Sequence, residues 1–291
     1  MALANRALAR EQLRRLGLLN VRIGDEDLDA YLSKLAARLV PSPSGEVEVV
    51  TPEGIKLALP PGLPVARTYA FGAYEKETTT LFKRLVGEGM DVVDGGAFVG
   101  YFSLLAAKLT GPSGRVYAFE PDPIAYQFLC RNVEMNGSSN VATLPQALAE
   151  RAGHLPFCSI RGGGSRLDPL STSSKRGNAL VVEAVSLDAF FARLGWPKVD
   201  LIKLDIEGGE LAALEGMRNL VLRNAGLQLI LEFSERNMRL ASTTPAALSA
   251  LLLDMGFESG QVIDKGLVAV DLRSGLQRLP PRANLLLRRS G

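Results

Sequence analysis

Val92-Val-Asp-Gly-Gly-Ala-Phe-Val-Gly-Tyr-Phe-Ser103 is the stretch whose reading decides the fold. A short apolar run (Met90, Val92, Val93) ends in Asp94, passes through Gly95 and Gly96, and reaches Gly100. Beyond it Phe102, Leu105, Ala106 and Leu109 recur at helical spacing. Strand, glycine turn and helix form the opening βα unit of an α/β sheet, with the ligand at the strand's C-terminal end. Glycine belongs in such a turn because a Cβ would block close approach of a ligand and disfavour the backbone dihedrals.

The spacing separates one ligand from another. A dinucleotide fingerprint needs G-x-G-x-x-G, which glycines at 95, 96 and 100 do not match. A phosphate loop would continue Gly-Lys-Ser/Thr, whereas Gly100 is followed by Tyr101 and Phe102. Asp94 at the strand end would repel a pyrophosphate and suits a ligand bearing an ammonium or sulfonium group. These residues point to S-adenosylmethionine.

Composition sets the wider bounds. With 291 residues, 47% hydrophobic and 22% charged, the chain can bury an ordinary core, as one large domain with an extension. A formal net charge of +2 gives no electrostatic argument for nucleic acid. Cys130 and Cys158, the only cysteines, have no metal-ligand spacing and fit a reduced, cytoplasmic protein. The single histidine, His154, excludes a histidine-rich metal site and reads as a surface residue. No apolar run is long enough to span a bilayer.

Working outward, residues 2–19 and Asp25 to Leu39 read as helices. The arginines at 6, 10, 14 and 15 interrupt any signal-peptide core, and Glu11 and scarce serine argue against a transit peptide. A hairpin around Pro52-Glu-Gly54 and a proline linker at 60, 61 and 64 complete an N-terminal extension over residues 1–65. Packing against the main domain, homo-oligomerisation or substrate coverage are its candidate roles. The main domain would then span 66–291. Strands are predicted at Asp91 to Asp94, Arg115 to Phe119, Val141 to Leu144, Leu155 to Ser159, Val181 to Val185, Val199 to Asp205 and Gln228 to Phe233. Helices alternate with them over Thr78 to Val86, the stretch after Gly100, Pro123 to Asn136, Leu187 to Leu194, Glu210 to Leu220 and Pro245 to Met255. This order predicts a doubly wound, Rossmann-like, mostly parallel sheet. Phe257 to Val262 and Leu267 to Asp271 would close it as an antiparallel edge hairpin. Arg161 to Asn178, rich in glycine, serine and charge, reads as an active-site lid or as disorder.

Four strand ends carry acidic residues: Asp94, Glu120, Asp205 and Glu232. In a doubly wound sheet these ends share one edge. Glu120 stands one βαβ step beyond Asp94, where a carboxylate can accept both hydrogen bonds of a ribose diol; the competing role is a cap for the helix after Pro121. Lys203, Asp205 and Glu207 are the catalytic candidates at the fourth strand end. Asp205, with Glu207 and Glu232, could serve as general base or as an oxygen-rich Mg²⁺ site. The alternative is a structural network with Lys203 paired to Asp205. Trp196 is expected to pack beneath the fourth strand.

The sequence from Gly72 to Phe233 resembles the FkbM-type S-adenosylmethionine-dependent methyltransferases. The resemblance is carried by Gly72-Ala-Tyr-Glu75, Val93-Asp-Gly-Gly-Ala97 with Gly100-Tyr101, and Val116-Tyr-Ala-Phe-Glu-Pro-Asp-Pro123. Asn132, Asn136-Gly137, Ser186-Leu-Asp188 and Leu201-Ile-Lys-Leu-Asp-Ile-Glu-Gly208, followed by Glu210, complete it. It implies that Asp94, Gly95, Gly96, Ala97 and Gly100 border the methionine part of the cofactor and that Glu120 and Pro121 hold the ribose. Gln146 and Ala147 would lie beside adenine, Tyr74 and Glu75 would close over the cofactor, and Asp205 would stand near the methyl group. Where the family usually has asparagine after Gly-Ala, this chain has Phe98. The implied reaction is methyl transfer to a hydroxyl of a small molecule or a sugar. An RNA methyltransferase and a non-catalytic cofactor-binding protein are the rival readings.

Overall fold

The structure, a computed structural model, describes residues 45–63, 66–70, 72–159, 166–167, 178–257, 259–264, 266–273 and 276–289. The two expected N-terminal helices and most of the 161–178 segment lie outside these residues. A hairpin, β1 (Val47–Val50) and β2 (Lys56–Leu59), is followed by α1 (Ala66–Ala70) and α2 (Lys76–Leu85). Then come β3 (Asp91–Gly95), α3 (Tyr101–Thr110), β4 (Arg115–Phe119), α4 (Pro123–Met135) and β5 (Val141–Leu144). Next are β6 (Ala147–Leu148), β7 (Gly153–Ser159), β8 (Arg166–Leu167), β9 (Asn178–Val185) and α5 (Leu187–Arg193). The chain continues through β10 (Leu201–Leu204), α6 (Glu210–Glu215), α7 (Arg218–Arg223), β11 (Gln228–Ser234), α8 (Glu235–Leu240) and α9 (Pro245–Asp254). It ends with β12 (Ser259–Asp264), β13 (Gly266–Asp271) and β14 (Arg282–Arg288).

The central sheet runs β13-β12-β14-β11-β10-β3-β4-β5. From β11 to β5 all neighbours are parallel, and β14, β12 and β13 are antiparallel to theirs. This is the expected α/β fold with its antiparallel edge, and with one element unforeseen. β14 inserts between β11 and the β12–β13 hairpin, so the hairpin does not follow directly on the parallel strands. The predicted strands at Leu155 to Ser159 and Val181 to Val185 belong to a separate small sheet, β6-β9-β7-β8. The predicted helix from Glu210 to Leu220 is divided at Gly216-Met217 into α6 and α7.

Burial explains why the parallel strands read as near-continuous apolar runs: both sheet faces are covered. Ile202 and Leu204 of β10 and Leu229 and Leu231 of β11 join one core, with Phe191, Leu214 and Leu252. Leu201 and Ile230 point to the other, with Phe82, Phe102 and Leu105. The alternation puts Lys203 on the same side as Leu201, and its Nζ sits 4.6 Å from the centre of the Phe102 ring.

Several motif residues serve architecture. Asn132 on α4 donates to the carbonyls of Ala58 (3.0 Å) and Val99 (2.8 Å) and accepts from the Ala58 N–H (2.7 Å). It thereby clamps the β1–β2 hairpin to the loop that follows β3. Asp188 caps the start of α7, accepting from the N–H groups of Asn219 (3.0 Å) and Leu220 (2.7 Å). Asp122 caps α4 through the N–H groups of Ile124 (2.9 Å) and Ala125 (3.2 Å). The competing role for Glu120, a helix cap, is thus taken by its neighbour. Ser186 and Thr244 cap α5 and α9, their hydroxyls accepting from the N–H groups of Ala189 and Ala247.

Candidate active site

The C-terminal ends of β3, β4 and β10 open into a cleft of about 500 Å³, within the range of small-molecule sites. Strand order places β3 between β4 and β10, so Glu120 and Asp205 emerge two strand spacings apart, roughly 10 Å.

At the β4 end, Glu120 lines the cleft with only 6% of its surface exposed. Its Oε2 accepts the Phe98 N–H (2.7 Å) and its Oε1 the Asp122 N–H (2.8 Å). Each oxygen keeps a further lone pair for a ligand. Burial pushes the carboxyl up to about 7, with the charges of Asp122 and Asp94 adding and the two N–H groups opposing. Phe98, Phe119, Leu148 and Phe157 supply apolar walls nearby, and Pro121, Gln146 and Ala147 also line the cleft. A diol held by Glu120 beside a flat base between these walls is what an adenosine group requires, so the residues fit S-adenosylmethionine.

The glycines of the turn answer to the protein as much as to a ligand. Gly96 has φ 82°, and a Cβ there would run into the Asp205 carbonyl. A Cβ at Gly100 (φ 91°) would lie 2.6 Å from Leu129 Cδ1. Close passage of β3 against β10 and α4 therefore fixes these glycines. Gly96 lines the cleft, whereas Asp94, Gly95, Ala97 and Gly100 sit behind its wall. Asp94 is buried, accepts the Ser103 hydroxyl at 2.5 Å, and leaves Oδ1 without a partner. Burial raises its carboxyl while Lys203 opposes the shift.

Lys203 does not line the cleft; it lies beneath, with 4% of its side chain exposed and its Nζ 3.1 Å from Asp205 Oδ2. Burial alone would lower this ammonium's pKa, but Asp205, Glu75 and Asp94 together hold it above the usual lysine value. Burial likewise works to raise Asp205; Lys203, aided by Arg282 and Glu232, overrides it and keeps Asp205 below the ordinary carboxylate range.

Ligating atoms of Asp205, Glu207 and Glu232 lie within 4.8 Å of one another. Cations of the protein already face them. Arg282 Nη2 stands 2.5 Å from Glu232 Oε1, without the alignment of a hydrogen bond, and Lys203 holds Asp205. Burial, then the charges of Asp205 and Glu207, push the Glu232 carboxyl up to about 9, with Arg282 opposing the shift. Buried Lys203 and exposed Arg282 thus already face Asp205 and Glu232, an arrangement that does not fit Mg²⁺, which demands free charged oxygen ligands in octahedral array.

Glu207 differs from Asp205. It lines the cleft, accepts from Asn237 Nδ2 at 2.5 Å, and has its carboxyl raised by burial and by Asp205. Glu210, the acidic end of the Asp-Ile-Glu-Gly-Gly-Glu motif, instead closes that loop, its Oε1 accepting from Ile206 (3.1 Å) and Gly208 (3.2 Å). Five described non-glycine residues have positive φ, and Glu75 (39°), Phe98 (52°) and Glu207 (54°) among them line this cleft. Strain concentrated this way is a mark of functional sites.

The sequence profile described as the methyltransferase FkbM domain matches residues 94–259. The chain belongs to the FkbM methyltransferase family. The family's cofactor is S-adenosylmethionine. Phe98 holds a left-handed backbone (φ 52°) that asparagine would tolerate far better than phenylalanine. The chain is similar to methyltransferase sdnD of Sordaria araneosa, 34% identical over 155 residues, 43% of this chain and 60% of that protein. It is similar to a tRNA(Phe) (4-demethylwyosine(37)-C(7)) aminocarboxypropyltransferase of Methanocaldococcus jannaschii, 46% identical over 50 residues, 17% of this chain and 20% of that enzyme. Among solved structures, methyltransferase FkbM from Methylobacillus flagellatus superposes with a TM-score of 0.44 at 17% identity, covering 76% of this chain and 54% of that one. The chain thus spans less than two thirds of each of these proteins.

Among the cleft residues that sequence reasoning missed are Arg282 and Asn284, both on β14. Asn284 Nδ2 donates to Thr78 Oγ1 (2.8 Å) and Glu75 Oε2 (3.2 Å), which fixes Glu75 at the start of α2. The available signal was the short apolar run Leu285-Leu-Leu287 following Pro280 and Pro281, too short to distinguish strand from helix. Tyr74 and Glu75 line the cleft, and the Tyr74 ring centre lies 4.2 Å from that of Tyr69. His154 lies exposed on β7, and half-buried Trp196 packs against the core with Arg223 4.4 Å over its ring. No described helix is long and apolar enough to cross a membrane.

Proposed function

We propose that this chain transfers a methyl group from S-adenosylmethionine to a hydroxyl oxygen of a small molecule or sugar, without a metal ion. One observation carries the choice of oxygen: a single cleft joins the diol-binding carboxylate Glu120 to a second carboxylate, Glu207, whose proton affinity is raised. The cofactor supplies an electrophilic methyl group, whose carbon–sulfur bond breaks as the carbon–oxygen bond forms. Glu207 takes the hydroxyl proton. A neutral alcohol needs such an acceptor, and a carboxylate above the usual range is a better one than Asp205, which Lys203 keeps weakly basic. Asp205 and Glu75 place negative charge beside the sulfonium and ammonium groups. Phe98, Phe119 and Phe157 exclude water from the adenosine end.

The test is Glu207→Gln with a hydroxylated acceptor panel. Turnover should fall by about 10² to 10⁴, the usual contribution of a general base, while S-adenosylhomocysteine affinity stays at the wild-type value. In the wild type, kcat should drop as pH falls through the raised Glu207 pKa, because the carboxylate is the active form. A variant as fast as wild type on the same acceptor would remove Glu207 from the reaction. Methylation of transcribed tRNA with no turnover of any alcohol or glycoside would replace the acceptor class.

A further inference from the structure

Glu207 sits in a turn whose backbone needs outside support. Its φ is 54° and that of the next residue, Gly208, is 109°, so two successive residues leave the region that side chains prefer. The support comes from α8. A Cβ at Gly208 would lie 2.9 Å from the Asn237 carbonyl oxygen, which shows how closely the turn packs on that helix. The Asn237 side chain grips the turn a second time, its Nδ2 donating to Glu207 Oε2 at 2.5 Å.

Asn237 is itself firmly mounted. It is buried, its N–H donates to Ser234 Oγ (3.4 Å), and its carbonyl accepts the Ala241 N–H (2.9 Å). Ser234 ends β11, so the amide is carried at a junction of strand and helix, where side-chain placement is more precise than on a loop. The charges around Glu207 come from other directions. Asp205 in the same loop raises its proton affinity, Arg282 on β14 and Arg236 on α8 lower it, and Glu232 on β11 lies within 4.8 Å. Among the described residues, the Asn237 amide is the donor hydrogen-bonded to this carboxylate. With Oε2 so engaged, Oε1 is left for a substrate hydroxyl.

We infer that Asn237 is a positioning residue of the methyl-transfer site, fixing the direction of the Glu207 carboxylate so that its second oxygen faces the acceptor hydroxyl. The inference rests on the methyl-transfer reading with Glu207 as proton acceptor. A neutral amide suits the task because it orients a carboxylate without adding charge. A cation in its place would leave Glu207 as weakly basic as Lys203 leaves Asp205.

The experiment uses the full chain saturated with S-adenosylhomocysteine and follows isotope-labelled glutamate carboxyl carbons by NMR during a pH titration. Absence from the Glu207→Gln spectrum identifies the Glu207 signal. Asn237→Leu, which keeps the bulk and removes the donor, should raise the Glu207 midpoint by about one pH unit, because a hydrogen bond to the charged form favours it. Asn237→Asp, nearly the same shape but a second carboxyl, should raise it further. On the best acceptor of the hydroxylated panel, kcat of Asn237→Leu should fall about 10- to 100-fold even where Glu207 is ionised, the cost of a misaligned group. The acceptor KM and calorimetric S-adenosylhomocysteine affinity should stay at wild-type values, which also reports an intact fold. In a Glu207→Gln background the same substitution should cost little more, since no proton acceptor remains to be aimed. A Glu207 midpoint unmoved in both variants, or an equal loss of kcat in both backgrounds, overturns the positioning role. Full turnover by Glu207→Gln alone would instead overturn the reading of Glu207 beneath it.

Discussion

Replacing Glu120 by Gln separates the two tasks that this side chain performs. The substitution keeps the volume and turns one acceptor oxygen into an NH₂ donor. In the free protein both oxygens already accept, from Phe98 N–H at 2.7 Å and from Asp122 N–H at 2.8 Å, in a site 6% exposed. Glutamine must therefore leave one buried backbone N–H facing another donor. That costs about 1–3 kcal/mol, and it appears in the unfolding free energy because it is present without ligand. Binding loses something further, a hydrogen bond from a ribose hydroxyl to a charged acceptor, worth about 1.5–3 kcal/mol. S-adenosylhomocysteine should accordingly bind about 10- to 150-fold more weakly. Urea denaturation reads the first quantity and isothermal titration calorimetry the second.

A pH series sharpens the same test. Burial holds the free Glu120 carboxyl up to about 7. Hydroxyl donors favour the charged form, so ligand binding lowers this pKa and releases a proton when the free group is protonated. Wild-type affinity should fall as pH drops below 7 and level off above it, and Glu120→Gln should show no such dependence. A variant that is less stable yet binds S-adenosylhomocysteine as tightly as wild type would refute the reasoning. Glu120 would then only hold the turn, with the ribose elsewhere.

Three other outcomes are expected. Phe98→Asn should keep cofactor affinity within about tenfold, roughly 1.4 kcal/mol, because asparagine relieves the φ of 52° while removing an apolar wall; calorimetry checks this. Lys203→Met should destabilise the fold by about 3–5 kcal/mol in urea, since Asp94 and Asp205 would be left buried without their cation. Exhaustive dialysis against chelator should leave methyl transfer unchanged, as Lys203 and Arg282 already face Asp205 and Glu232; a rate lost on dialysis and restored by Mg²⁺ would contradict this.

The local sequence determined a good deal here. Val92 to Ser103 specified strand, turn and helix because apolar periodicity and glycine placement are local properties of the chain. The order of elements then specified a parallel sheet, and a parallel sheet puts Asp94, Glu120 and Asp205 on one edge. Tertiary structure decided what these residues do there. Whether Glu120 or Asp122 capped α4 depended on where Phe98 N–H would come to rest, 22 positions away. Whether Asp205 could serve as base depended on Lys203 turning inward over Phe102 rather than outward, which strand alternation and burial settle only when the sheet is assembled. β14 escaped notice because a short apolar run at a chain end has no periodicity to distinguish strand from helix; its place between β11 and β12 is a long-range pairing. It brings Arg282 and Asn284 to the cleft from the far end of the sequence. Local sequence determined the elements and the shared edge; protonation and partners depend on packing between distant segments, which only the assembled fold decided.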